Sequence, residues 1–251
     1  MTIASRSVRL AATDPSPLTE SIPATQSTVG VRYRMGQGTG AHTPLGHERK
    51  PRDAPQRTAY RVGVTVWLTS DLHLGHVLVS GLRGFPNVAA HDATLATRWC
   101  ERVAPDDTVW LLGDVVMGDW RAGLTLLSSL PGTKHLILGN HDRPHPAYRS
   151  KGGEWDLYAA VFTTMALGGE LRVGSAKYLM SHFPYDGEGR EGVADRHTQW
   201  RLRDLGETLL HGHTHDAVVV RASRKRTRMV HVGVDAHGLA PVALEDLPLT
   251  R

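Results

Sequence analysis

The sequence predicts an α/β fold, on three observations. Short β-branched apolar runs alternate with amphipathic helical stretches from about residue 62 onward. Each of the main runs stops at turn-forming residues, Gly, Ser or Asp. Five of those stops carry hard or borderline metal-ligand types: Asp71 and His73, Gly113-Asp114, Gly139-Asn140-His141-Asp142, Ser181-His182, and Gly212-His213-Thr214-His215. Open α/β sheets place their sites at the carboxyl ends of strands, and this placement is hard to obtain by chance.

The elements follow in order. Residues 1–60 are rich in Ser, Thr, Pro, Gly and Arg and have no sustained apolar period. Such a segment buries too little surface to offset its ordering entropy, so it is expected to be disordered. A basic tether to nucleic acid or an acidic partner is its functional alternative. Translation starting near Met35, or at Val62 or Val64, is another. Val64–Thr69 is a strand, followed by a turn at Ser70-Asp71. Asn87 caps a helix running to about Val103, with Leu95, Trp99 and Val103 on one face. Thr108–Leu112 is a buried strand. Asp119 caps a helix to about Leu130, stopped by Pro131-Gly132. Lys134–Leu138 is a third strand. Strand, helix, strand, helix, strand places three parallel strands in one sheet.

The second half is richer in strands: Val161–Thr164, Glu170–Val173, Lys177–Ser181, Thr208–His211, Ala217–Ala222 and Arg228–Val234. A helix is expected over Val193–Arg203, and Ser223–Thr227 reads as a polar hairpin tip. The domain therefore spans 61–251.

Charge divides the chain in the same place. Residues 1–60 hold eight Lys/Arg against four Asp/Glu, while 61–251 hold 21 of each. The formal charge of +4 belongs to the N-terminal segment and gives the domain no electrostatic footprint for nucleic acid. Nucleic acid stays a lesser candidate partner. No apolar stretch has the length of a signal peptide or membrane span, so no membrane partner is expected. The one cysteine, Cys100, lacks a partner and a motif. A cytoplasmic, reducing setting fits best.

A paired-metal site built from His and Asp is hydrolytic far more often than structural, because structural zinc sites are usually closed and Cys-rich. The five blocks, in this order over residues 64–235, resemble the calcineurin-like metallophosphoesterase superfamily. D-x-H and G-D are weak alone; G-N-H-D followed by G-H-x-H is specific. The resemblance implies a four-layer α/β/β/α sandwich of two mixed sheets, with a dinuclear site at the strand ends. It implies two divalent ions, manganese favoured, with iron, zinc or nickel also suited to these ligands. Asp71, His73 and His215 would hold the first ion. Asn140, His182 and His213 would hold the second, and Asp114 would bridge them. His141 would protonate the leaving alkoxide, and Asp142 would orient its ring. Arg143 and His76 are lesser candidates for the pocket.

The function so implied is a phosphodiesterase acting on small or nucleotide-like diesters, such as cyclic nucleotides, by in-line attack of a metal-bridging hydroxide. A phosphomonoesterase or dinucleoside polyphosphate hydrolase is the alternative, ahead of a nuclease or a scaffold that lost catalysis. Specificity would lie in loops 74–92, 115–121, 143–160 and 183–200. Oligomeric state leaves no sequence signal.

Overall fold

The computed structural model describes residues 63–148, 154–190 and 192–249. The expectation of disorder for 1–60 lies outside the described residues.

In chain order the first half contains β1 (Val66–Thr69), α1 (Val77–Leu82), α2 (Val88–Cys100), β2 (Thr108–Leu111), α3 (Trp120–Ser129) and β3 (Thr133–Ile137). Then come α4 (Glu154–Ala159), β4 (Thr164–Ala166), β5 (Gly169–Val173), β6 (Ala176–Met180), β7 (Thr208–His211), β8 (Val220–Ala222), β9 (Arg228–His231) and β10 (Val242–Ala243). They form two mixed five-stranded sheets, ordered β10-β1-β2-β3-β4 and β5-β6-β7-β9-β8. Strands β1 to β4 run parallel, and β10 closes the first sheet antiparallel. In the second sheet β6, β7 and β9 are parallel, between antiparallel edges β5 and β8.

The strand alternation of side chains makes two cores from one sheet. Val109, Leu111 and Leu136 face α2 and α3, which bury Leu95, Trp99, Leu124 and Leu127 against them. Leu68, Trp110, Leu112 and Ile137 point the other way, into Tyr178, Met180, Leu210 and Val230 of the second sheet. The expected caps form. The Asn87 side chain accepts from the Ala90 N–H at 2.8 Å, and Asp119 from the Ala122 N–H at 3.2 Å.

The layered sandwich of two mixed sheets is therefore present, but its outermost cover is thin. The helix expected over 193–203 is replaced by a single 3-10 turn, Thr198–Trp200, entered through a left-handed His197. Tyr185 and Leu202 from this loop, not a helix face, cover Leu179, Leu209 and Met229. The strand expected over 161–164 begins only at Thr164, because the Val161 and Phe162 amides still donate to Tyr158 at the end of α4. Helices α1 and α4 and strand β10 were not foreseen. No helix among the described residues is long and apolar enough to cross a membrane.

Candidate metal centre

The backbone at the strand ends is strained where the ligand types sit. Asp71, His73, Asp114, His213 and His215 all have positive φ, between 50° and 74°. Non-glycine residues rarely adopt this region, and such strain clusters at functional sites. Hydrogen bonds between the turns hold it. The Asp71 N–H donates to Gly113 O and the His73 N–H to Asp114 O, each at 3.0 Å, and the Gly212 N–H donates to His182 O at 3.0 Å. Two glycines allow the approach. A Cβ on Gly139 would overlap Asp114 Oδ1, and one on Gly212 would overlap Ser70 Oγ.

Five side chains from this rim converge as two adjoining clusters, Asp71/His73/His215 and Asp71/Asp114/His182, the ligand atoms of each within 4.8 Å of one another. In the first, His73 Nε2 faces His215 Nε2 at 3.0 Å, and His215 Nε2 lies 3.6 Å from Asp71 Oδ1. Beside the second, His213 Nδ1 lies 3.3 Å from His182 Nε2. Asp71 belongs to both clusters, and Asp114 Oδ2 reaches from the second toward the first, 3.4 Å from His182 Nε2 and 3.7 Å from His73 Nε2.

The donor set fits divalent cations. The opposite nitrogens of three imidazoles are already taken. His182 Nδ1 donates to Leu112 O at 2.7 Å, His215 Nδ1 faces Asp235 Oδ2 at 3.0 Å, and His213 Nε2 faces Glu188 Oε2 at 3.1 Å. This turns three lone pairs toward the shared space. Asp71 Oδ1 and Asn140 Oδ1 are buried with no hydrogen-bond partner. Buried acceptors are costly unless something satisfies them, and a cation is what acceptors of this kind lack.

The electrostatics agree. Burial opposes charge on Asp71, yet His215 and His182 hold its pKa below the ordinary carboxylate value. Asp114 is held well below it by His182 and His73, also against burial. His182 is lifted to about 9 against its burial, chiefly by Asp114. His73 falls to about 3, from burial first.

A family model described as calcineurin-like phosphoesterase matches residues 64–217. The chain belongs to the calcineurin-like phosphoesterase family. It is 47% identical over 186 residues to the gene 66 protein of Mycobacterium phage D29, covering 70% of this chain and 92% of that protein. The gene 66 protein of Mycobacterium phage L5 is 44% identical over 183 residues, covering 68% and 87%. A crystal structure of a protein of unknown function from Aquifex aeolicus shares the fold, with TM-score 0.53, 17% identity, and 73% and 97% of the two chains covered.

Calcineurin-like phosphoesterases are dinuclear-metal dependent, and this chain carries candidate ligand groups for that chemistry. Six of the seven expected ligands make the contacts given above. Asn140 lies in the turn between Gly139 and His141, which the His141 N–H ties to Asp114 Oδ1 at 2.8 Å. His141 itself is half-buried, its ring 5.6 Å from that of His73 and edge-on to it.

Asp142 does not do what was expected of it. Its carboxylate accepts from the backbone N–H groups of Gly139, Asp114 and Val115 at 2.8, 3.0 and 3.0 Å, and no hydrogen bond joins it to the His141 ring. It ties the Gly113-Asp114 turn to the Gly139–Asp142 turn. Burial and the Asp114 charge push its pKa up to about 7, against the pull of those amides. Arg143 is likewise engaged elsewhere, paired with Glu154 at 3.4 Å and stacked over Trp120. Asp235 and Glu188 were missed. Glu188 lies in an irregular loop and Asp235 in a 3-10 turn, neither within a motif, and only the fold brings them to His213 and His215.

Proposed function

We propose that the chain is a dinuclear-metal phosphodiesterase acting on small or nucleotide-like phosphodiesters. The observation that carries the reading is that Asp114 Oδ2 faces a histidine of each cluster, His182 Nε2 at 3.4 Å and His73 Nε2 at 3.7 Å. One ion would be held by Asp71, His73 and His215, the other by Asn140, His182 and His213, with Asp114 shared. Manganese is the favoured metal. Paired ions supply charge to neutralise phosphate oxygens and to acidify water.

The chain's own residues supply the rest. His141, at the edge of the pair, holds the proton for the leaving alkoxide oxygen. Asp114 fixes His141 through its backbone N–H. Asp142, braced on three amides, keeps Asn140 and Asp114 on adjoining turns. A diester carries one negative charge and a monoester up to two. Arg143, beside the Gly139–Asp142 motif, and Arg83, on the Asp71 carbonyl, are tied to Glu154 and Asp235. Neither is free to meet a second negative charge, which supports the diester.

The test is hydrolysis of bis(p-nitrophenyl) phosphate beside p-nitrophenyl phosphate, with added manganese. A higher kcat/KM for the diester is expected, and cyclic nucleotides are the next substrates to assay. Preference for the monoester would overturn the diesterase reading in favour of a phosphatase.

A further inference from the structure

The two histidines of the Gly212–His215 turn are backed in the same way. His215 faces Asp235, and Asp235 accepts a two-point bond from Arg83, Nε to Oδ1 at 2.8 Å and Nη2 to Oδ2 at 2.7 Å. The Arg83 side chain is nearly buried and also donates to Asp71 O at 2.7 Å and Leu72 O at 3.1 Å. His213 faces Glu188. Glu188 accepts from the Arg196 backbone N–H at 2.9 Å and from Arg196 Nε at 2.8 Å. Buried Arg201 donates to its other oxygen, and to Pro184 O and Gly187 O at 3.1 Å each. Each unit is a histidine, a carboxylate and a nearly buried arginine.

A carboxylate clamped by a guanidinium stays ionised and does not swing away. Facing an imidazole, it fixes which ring nitrogen carries the proton and frees the other as a ligand. Here the freed nitrogens differ. His215 is left with Nε2, 3.0 Å from His73 Nε2. His213 is left with Nδ1, 3.3 Å from His182 Nε2. Two residues apart on one strained turn, the histidines thus address different clusters.

We propose that Glu188 and Asp235 are positioning residues that assign the two histidines to separate ions, Glu188 serving the one shared with His182 and Asp235 the one shared with His73. The inference rests on the dinuclear reading. The bland alternative is that both carboxylates only hold loops together.

The experiment is calorimetric titration of the chelator-stripped full chain with Mn2+, with metal content measured on the loaded protein. Wild type is expected to take two ions; fewer would overturn the dinuclear reading itself, and the proposal with it. Glu188→Ala is expected to weaken one of the two affinities about 10–100-fold and leave the other unchanged. Asp235→Ala does the converse. Glu188→Gln and Asp235→Asn regain part of the loss, since the amide oxygen still accepts the imidazole N–H while the amide NH2 now meets an arginine donor. Glu188→Ala adds little to His213→Ala but adds fully to His215→Ala. Should the alanine variant not fold, Glu188→Asp keeps the charge for Arg201 while drawing it back from His213, and gives the same selective loss. Two ions bound as in wild type by every variant, or both affinities weakened together without rescue by the amides, would overturn the assignment.

Discussion

In the proposed function His141 and Asp114 divide the work of the site at the scale of single side chains. Removing the His141 imidazole takes away the proposed proton donor but no expected ligand. His141→Ala is therefore predicted to keep both ions while turnover falls roughly 10²–10⁴-fold, most for poor leaving groups. Stopped assays over a series of aryl diesters, beside metal analysis, check this. Asp114→Asn keeps the shape but loses the charge that His73 and His182 both face, so it is predicted to lose most turnover and one of the two ions. Full turnover with two ions bound would show that Asp114 is not shared. The ligand types were legible because hard ligands closing apolar strands are chemically conspicuous. Their left-handed backbone was not, since Asp and His give no sign of it in sequence. The partner of Asp142 was misread because a carboxylate beside a histidine suggests a pair, whereas three amides from two turns had the stronger claim on it.

Helices and strands were legible where local signals agreed. The Asn87 cap, followed by buried positions at His91, Leu95 and Trp99, fixed α2 because cap and period point the same way. Asn87→Ala is predicted to cost about 1 kcal/mol of stability, read from urea unfolding. Helix α1 was missed because it has no side-chain cap and leaves Val77, Leu78 and Leu82 exposed, the reverse of the pattern that marks a surface helix. The stretch 193–203 has helix-compatible residues, but Arg201 donates to Pro184, Gly187 and Arg196 carbonyls and folds it into a loop. Strand β3 carries a pH dependence. His135 stacks on Trp110 with ring centres 4.6 Å apart, and burial lowers its pKa from 6.5 to about 4. The unfolded chain binds that proton more readily, so stability is lost as pH falls from about 6.5 to about 4, on the order of 3 kcal/mol from this group. His135→Gln does not titrate. The stability difference between wild type and this variant is predicted to shrink across that window, and a constant difference would contradict it.

On the scale of the whole molecule, the site is a consequence of the two sheets meeting. Asp71, His73, Asp114 and Asn140 come from the first sheet's strand ends, and His182, His213 and His215 from the second's. The first sheet was legible as alternating strands and helices; the second took its shape from resemblance, because its short strands pair across long irregular segments. Every site residue named here lies from β1 onward. Deleting residues 1–60 is accordingly predicted to leave melting temperature and small-substrate turnover unchanged, and a collapse of either would show that the segment contributes. The central claim is that turnover requires a pair of ions in this rim. It is tested most directly by stripping the protein with chelator and following diester hydrolysis as Mn2+ is returned in measured equivalents. The account predicts no turnover in the stripped protein and a rise that levels off at two ions per chain. Undiminished turnover after stripping, or a plateau at one ion, would contradict it.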